Sequence, residues 1–433
     1  MRILIIGQTS LHWGRMEYGN IGNYYIIEPF IRQLHRVFNN AQIYTTLQMS
    51  DEFCQREKVA RLPLELYYSW DDSDYLQKSL YEYALAELYS KTGNLTEATP
   101  YIKEVQKADL VIDFSGDIWS DNADFVGPNR FLIGLLKDRV AQLLGKKTVM
   151  LSGSPTPFKN HNHAFTKEVF EGFDLVTNRE NISTRLIKDL GFNTSKVQSY
   201  ACPAFIFEPG NKTEIEQVIK KYDLDSGRFK TGFILCGWNL KKGPYDREDI
   251  KDDELNDYVE LIEEHISERD SDIYLMSHSN GFDLPPYFQL KHGRDYPFAQ
   301  QLVRILKSRK KVDLGKVFLI EDVLTPKETK AVIGQFDMLI SGRIHGAVAG
   351  LSQAIPTVII DYGHEPKAHK LRGFAEIAGV EEYIADPAKK DDLFFVTRQC
   401  YLNRNSLRHY LKSRMQEISK KVDDSFNMLM NLF

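Results

Sequence analysis

The residues richest in chemistry lie together at Ser341-Gly342-Arg343-Ile344-His345-Gly346. An apolar run, Met338 to Ile340, ends at Ser341, and the small residues after it open a helix at about His345. The first turn of a helix leaves backbone N–H groups unpaired and carries positive dipole character, so it attracts an anion. Arg343 adds a planar fork suited to carboxylate or phosphate. His345 adds a group that moves a proton near neutral pH. The segment falls where a strand of a parallel sheet would end, the edge at which open α/β folds bind ligands. The plainer alternative is that Arg343 pairs with a carboxylate and His345 caps the helix.

Three other strand ends are rich in glycine or polar residues. The segment Gly7–Gly22 follows the first apolar run and closes with Gly19-Asn20-Ile21-Gly22-Asn23. Its glycines allow close backbone approach, and Asn23 can cap the helix that follows. It matches neither G-x-G-x-x-G nor a P-loop, since no lysine stands at the required place. In Phe114-Ser115-Gly116-Asp117, Gly116 permits a sharp turn and Asp117 can accept hydrogen bonds from sugar hydroxyls. Ser152-Gly153-Ser154-Pro155-Thr156-Pro157-Phe158 follows another apolar run, and Thr177-Asn178-Arg179-Glu180 sets an arginine at a strand-to-helix junction. Arg179 is a second cation that would meet Arg343 if two domains face each other. His278, just past the run ending at Met276, is a lesser candidate, and a surface position suits it better. Asp72-Ser73-Asp74 and Asp270-Ser271-Asp272 lie in polar, Asp-rich stretches and are set aside as metal pairs. His161-Asn162-His163 has no third ligand at zinc spacing. No G-x-S-x-G or H-E-x-x-H occurs, and no metal or cofactor is expected.

Behind these edges, short apolar runs alternate with helical patterns, the signature of an α/β chain. Strands are predicted at Ile3–Ile6, Ile43–Thr46, Asp109–Asp113, Thr148–Leu151 and Asp174–Thr177, with helices between them. Leu62 to Lys107 is rich in Tyr, Leu and Ala at helical spacing and broken at Gly93-Asn94, which predicts an inserted helical hairpin. The pattern restarts with strands at Gly232–Cys236, Ile273–Met276, Val317–Ile320, Met338–Ile340 and Thr357–Ile360. Thr325-Pro326 starts a helix, with Thr as cap and Pro in the first position. Gly191 ends the helix Ser183–Leu190. Leu407, Leu411, Met415, Ile418, Val422, Phe426 and Met430 predict one amphipathic C-terminal helix. A helix covering the core and bracing two domains suits it better than one lying on a membrane.

The length of 433 residues suits two domains. Prolines and a glycine between Pro203 and Gly210 mark the boundary, giving residues 1–205 with the insert near 62–107, residues 206–385, and a helical segment 386–433. A net charge of −5 argues against a nucleic-acid partner. The four cysteines are scattered and fit reduced thiols in a cytoplasmic protein. Neither a signal-peptide core nor the ~18 consecutive apolar residues of a membrane span is present.

Taken in order, these edges resemble the polysaccharide pyruvyl transferase family. The pieces are Gly19-Asn20-Ile21-Gly22-Asn23, Asp113–Gly116, Ser152–Pro157, Thr177-Asn178-Arg179-Glu180 with Ser183 and Leu190-Gly191, and Cys202-Pro203-Ala204-Phe205. Ser341–Gly346 with Ile355-Pro356 and Tyr362 completes the set. The chain departs at Asn23 and Cys202, where the family often carries Asp, and in its insert. The resemblance implies two Rossmann-like domains across a cleft, as in GT-B glycosyltransferases. It also implies phosphoenolpyruvate as donor and a sugar hydroxyl pair as acceptor, yielding a pyruvate ketal and phosphate. His345 is then the acid and Arg343 its catalytic neighbour. Arg179, Ser341, Gly342 and Gly346 hold the donor, and Asn20, Asn23, Asp117, Ser154 and His278 are acceptor-side candidates. The acceptor would be a glycan or a lipid- or nucleotide-linked sugar, with peripheral contact to membrane-bound glycan machinery. A nucleotide-sugar GT-B glycosyltransferase and a non-catalytic glycan-binding homologue are the competing readings.

Overall fold

The structure is a computed structural model. It describes the chain except residues 10–11, 69–71, 117–118, 121–128, 156–162, 242–249 and 364–367. Asp117, the Thr156-Pro157-Phe158 end of the Ser152 segment, and His161-Asn162 therefore lie outside the described residues. Two compact units emerge: Met1–Glu17, Ile27–Pro203 and Lys420–Phe433 in the first, Tyr18–Ile26 and Ala204–Ser419 in the second. Each unit thus takes a short piece from elsewhere in the chain. The contiguous division at Pro203–Gly210 expected from the sequence differs from these units at residues 18–26 and 420–433.

In the first unit, β1 (Arg2–Ile6), β2 (Gln42–Thr45), β3 (Val59–Arg61), β4 (Leu110–Asp113), β5 (Lys147–Gly153), β6 (Leu175–Asn178) and β7 (Val197–Ser199) form one parallel sheet. Its order is β3-β2-β1-β4-β5-β6-β7. The chain therefore builds outward one way from β1 and then the other way from β4, with Ile6 beside Asp113. Ile3 to Ile6 and Leu110 to Asp113 are buried throughout, as expected for parallel strands covered on both faces. The insert is helical, as read: Asp72–Thr92 and Pro100–Lys107. Thr99 caps the second helix through Ile102 N, with Pro100 at its start. Tyr75, Leu85 and Ala86 of the insert share an apolar cluster with Ile133, Val140 and Ala141 of the helix Arg130–Leu143.

The second unit repeats the plan with β8 (Lys230–Ile234), β9 (Asp272–Leu275), β10 (Asn280–Phe282), β11 (Leu290–His292), β12 (Val317–Leu319), β13 (Met338–Ser341), β14 (Thr357–Ile360) and β15 (Ile384–Ala385). Six of these form a parallel sheet in the order β12-β9-β8-β13-β14-β15, while β10 and β11 pair as an antiparallel ribbon. Here the reversal of direction falls between β8 and β13. The ribbon brackets Pro285-Pro286 between β9 and β12. Thr325 caps Pro326–Ile333 as predicted, Glu328 returns a bond to the Thr325 N–H, and Gly191, at a φ of +78°, follows the helix Asn181–Asp189.

The C-terminal helix runs Arg404–Asn427 and ends in a tighter turn, Met428–Leu432. Leu407, Leu411, Ile418, Val422 and Phe426 are buried as the stripe predicts, but Met430 is exposed and Leu429 buried. The tighter turn advances the side chains faster than 3.6 residues per turn and shifts the apolar face by one position. No helix among the described residues is long and apolar enough to cross a membrane.

Candidate active site

Ser341 is the last residue of β13, beside Ile234 at the end of β8, so the Ser341–Gly346 turn leaves the sheet where strand order reverses. Ser341 Oγ accepts from Arg343 N at 3.2 Å and donates to Arg343 O at 2.9 Å, closing the turn on itself. Gly342 N donates to Ile234 O at 2.7 Å. A Cβ on Gly342 would stand 1.9 Å from Asn239 Oδ1, and one on Gly346 2.7 Å from Ser341 Oγ. Both positions therefore require glycine. Asn239 is a hub: its Oδ1 accepts from Cys236 N at 3.0 Å, its Nδ2 donates to Ile360 O at 3.3 Å, and its carbonyl accepts from Tyr258 OH at 2.6 Å. One buried side-chain amide thus ties the end of β8 to the end of β14.

The helix after the turn is Ile344–Leu351, with Arg343 in the capping position and no side chain capping it. His345 is its second residue and does not cap. Arg343, by contrast, has the carboxylate partner of the plainer alternative. Its Nε lies 3.1 and 3.0 Å from the two oxygens of Asp295, and its Nη2 also bonds Oδ1. Asp295 is fully buried, while about a fifth of the Arg343 side chain (20%) remains exposed. Burial works against the guanidinium's charge, but Asp295 outweighs it, so Arg343 is held above its ordinary pKa. One side of the fork is fixed, and the exposed remainder can still meet an anion.

His345 rests on the chain's other glycine motif. The helix Ile21–Val37 begins before Asn23, so Asn23 is its third residue and not its cap. Asn20 takes that part: its Oδ1 accepts from Gly22 N at 3.0 Å and its carbonyl from Asn23 N at 2.9 Å. A Cβ on Gly22 would lie 2.4 Å from His345 Nδ1 and 2.6 Å from Cγ. The imidazole thus sits directly on the Gly22 backbone, with Phe374 on another side at 5.8 Å between centroids.

His278 is not a surface residue. It is 1% exposed, just past β9. Its backbone N donates to Asp295 Oδ2 at 3.2 Å, which brings it to the Arg343 ion pair. Burial, opposed by Asp295 and reinforced by Arg343, pulls the imidazole down to about 3, so it is neutral at physiological pH. Its Nε2 has no hydrogen-bond partner among the described residues. The ring of Tyr25, on the same helix as Gly22, meets His278 edge-on at 5.4 Å, and the Tyr25 hydroxyl is likewise buried and unmatched. Asp295, Asn239 and Tyr25 all escaped the sequence reading.

In the first unit, Arg179 follows β6 and is 3% exposed. Its backbone N donates to Gly153 O at 2.9 Å and its Nε to Ser154 Oγ at 2.9 Å. Ser154 N in turn donates to Gly116 O at 3.2 Å. Gly116, at a φ of +62°, lies with the position of its missing Cβ 3.9 Å from Arg179 Nη1. The ends of β4, β5 and β6 thus gather around one guanidinium, and Ser154 serves that arginine. Glu180 caps the next helix through Ser183 N. Asp270 and Asp272 pair separately with Lys316 and Arg228, and no group of three metal-ligating side chains occurs among the described residues.

Residues 20–364 match the profile of the family described as Polysaccharide pyruvyl transferase. The chain belongs to that family. A search of curated proteins finds no match. Solved structures share the fold at low identity. Anabaena HepE (Alr3699) in complex with UDP is 10% identical with a TM-score of 0.56, covering 100% of this chain and 98% of that one. A Rickettsia africae glycosyltransferase is 11% identical at 0.55, covering 98% of each chain. The UDP-GlcNAc 2-epimerase of Methanocaldococcus jannaschii is 13% identical at 0.54, covering 92% of each. This pyruvyl transferase family member thus has a two-lobed α/β architecture of the GT-B, Rossmann-like kind, with a long C-terminal helix. It is an enzyme of the transferase class, and pyruvyl transfer is its family's chemistry.

Proposed function

We propose that this enzyme takes pyruvate from phosphoenolpyruvate and joins it as a ketal to two hydroxyls of a sugar in a polysaccharide or its precursor. One observation carries the assignment of the centre: Arg343 and His345 flank the start of one helix where strand order reverses, with the imidazole resting on Gly22. In this reading His345 delivers a proton to the methylene carbon while a sugar hydroxyl adds to the adjacent carbon and loses its own proton. The second hydroxyl then displaces phosphate from that carbon, and its proton leaves with the phosphate. Arg343 and the helix N-terminus hold the donor's negative charge and stabilise the departing phosphate. Arg179 is a second donor-binding candidate, and Ser341, Gly342 and Gly346 shape the turn that carries Arg343. Asn20, Asn23, Asp117 and His278 remain acceptor-side candidates. A cytoplasmic location, where phosphoenolpyruvate is available, belongs to the same proposal.

The test is phosphate release from phosphoenolpyruvate in the presence of lipid-linked and nucleotide-linked sugars. His345→Gln and Arg343→Lys should each abolish release while leaving the thermal transition near that of wild type. Release at near-normal rates by either variant refutes the assignment. The fold shared with UDP-bound structures favours a second reading, transfer from a nucleotide sugar. Thermal stabilisation by UDP- or GDP-sugars and not by phosphoenolpyruvate would select it. A glycan-binding homologue without activity would bind sugars and release no phosphate with any acceptor.

A further inference from the structure

The first unit has its own reversal of strand order, between β1 and β4, where open α/β sheets bind ligands. Gln8 follows β1 there and is 1% exposed, yet neither its amide nitrogen nor its oxygen has a hydrogen-bond partner among the described residues. Tyr67 is 2% exposed, and its hydroxyl is unmatched in the same way. Both groups belong to one cluster. Gln8 N donates to Ser115 Oγ at 3.1 Å, and Ser115 donates through N and Oγ to the two oxygens of Asp113, at 2.8 Å each. The Gln8 amide lies on Gly134, where a Cβ would stand 2.3 Å from its nitrogen. Asp138, one helical turn beyond Gly134, bonds the Asp113 carboxyl and receives Trp119 Nε1 at 3.5 Å. The Tyr67 hydroxyl is close enough to feel the charges of both carboxyls.

We propose that this cluster is a second ligand site, in which Gln8, Tyr67 and the Asp113–Asp138 pair take the hydroxyls of a neutral sugar ring. A buried polar side chain left unmatched by the protein costs stability, and two in one cluster suggest that the missing partner is a ligand. The chemistry of the set selects its class. A carboxamide offers one donor group and one acceptor and a phenol offers both, while the acid pair, its proton held between the two carboxyls, adds acceptor oxygens. Hydroxyls donate and accept in the same way. Arg130, buried beside Tyr67, offsets a negative charge of the acid pair, so the set is close to neutral and suits an uncharged ring. Burial raises Asp113 to about 6 and Asp138 further, and the pair thereby keeps a proton near neutrality. Calling this sugar the acceptor rests on the pyruvyl-transfer reading; its binding does not.

The experiment is calorimetric titration of the full chain, without phosphoenolpyruvate, with the methyl pyranosides of glucose, galactose and mannose. Wild type should bind at least one of them, and Gln8→Leu and Tyr67→Phe should each weaken it roughly tenfold or more. Both variants should melt at or above the wild-type temperature, because each removes an unmatched polar atom. The proposal is overturned if no member of the panel binds, or if binding is unchanged in both variants. Glycoside binding that the variants lose, without phosphate release under any condition, would leave the site standing and sink the pyruvyl-transfer reading. Phosphate release with an unchanged acceptor KM in both variants would do the reverse.

Discussion

Replacing Gly22 by alanine separates the placement of His345 from the stability of the fold. Gly22 is the second residue of the helix Ile21–Val37, and its backbone already accepts an alanine conformation. On helix propensity alone the substitution stabilises, by about 0.5 kcal/mol this close to the terminus. The new methyl group would, however, stand 2.4 Å from His345 Nδ1, 2.6 Å from Cγ and 2.8 Å from Cβ, where ordinary contact begins at 3.4 Å. The close atoms include the root of the side chain, so a rotation of the ring alone does not relieve the clash. The imidazole must move by about 1 Å, and a misplacement of that size costs on the order of 100-fold in rate, about 2.7 kcal/mol in the barrier. The assay is phosphate release from phosphoenolpyruvate at saturating acceptor, run beside thermal denaturation. The expected result is a fall of roughly 100-fold in kcat with a melting temperature within a few degrees of wild type. Wild-type kcat in Gly22→Ala would refute the claim that His345 acts from this position.

Asp295→Ala leaves the Arg343 guanidinium without its carboxylate; because 20% of that side chain is exposed, the loss should sit at the lower end for a broken buried pair, about 3 kcal/mol by urea unfolding. Gly342→Ala drives a methyl into Asn239, which cannot yield without giving up its bonds to Cys236 and Ile360, so denaturation should show a loss of about 2–4 kcal/mol. His278 sets an acid limit: it is neutral when folded, with its pKa lowered from 6.5 to about 3. Its contribution is complete above pH 6.5 and is lost as pH falls toward 3, on the order of 5 kcal/mol in all. His278→Asn should flatten stability across that window, and a pH–stability slope identical to wild type would contradict the assignment.

What the sequence revealed, and what it hid, follows from the range of each signal. The runs 338–340 and 357–360 were legible as strands because parallel strands covered on both faces must be apolar from end to end. The Thr325-Pro326 start and the Gly191 stop were legible because a cap is written within four residues of the helix it serves. The turn at Ser341–Gly346 carried enough local chemistry to be found at once. Asp295 did not: it reaches Arg343 from 48 residues away, and in the sequence it is a lone acidic residue before a helix. His278 sits among Ser277, Ser279 and Asn280, so its neighbours advertise a surface, while burial is imposed by Tyr25 from the far end of the chain. Asn20 and Asn23 are equally good caps on paper. Asn20 takes the part because its Oδ1 accepts from Gly22 N and its carbonyl from Asn23 N, which leaves Asn23 inside the first turn.

The two reversals of strand order divide the chemistry by charge. At β8 and β13 Arg343 and the His278 backbone N–H bond a single carboxylate, Asp295, and His345 stands in the first turn of the helix that Arg343 opens. At β1 and β4 two carboxyls share a buried environment with an amide and a phenol. A ligand with two negative groups, such as phosphoenolpyruvate, is drawn to the first, while the second, with Arg130 beside its acid pair, is close to neutral and offers it no such attraction. A ring of hydroxyls gains little from an ion-paired arginine, whereas its groups donate and accept as the open Gln8 amide and Tyr67 hydroxyl require. Similar parallel sheets therefore suit different ligands, and the selection lies in which residue types follow each central strand. Replacing Gln8 or Tyr67 should leave the affinity for phosphoenolpyruvate unchanged, and replacing Arg343 should leave the affinity for a methyl glycoside unchanged. Titration of each variant with both ligands checks this, and loss of both ligands in any one of them would show that the two sites are not chemically separate.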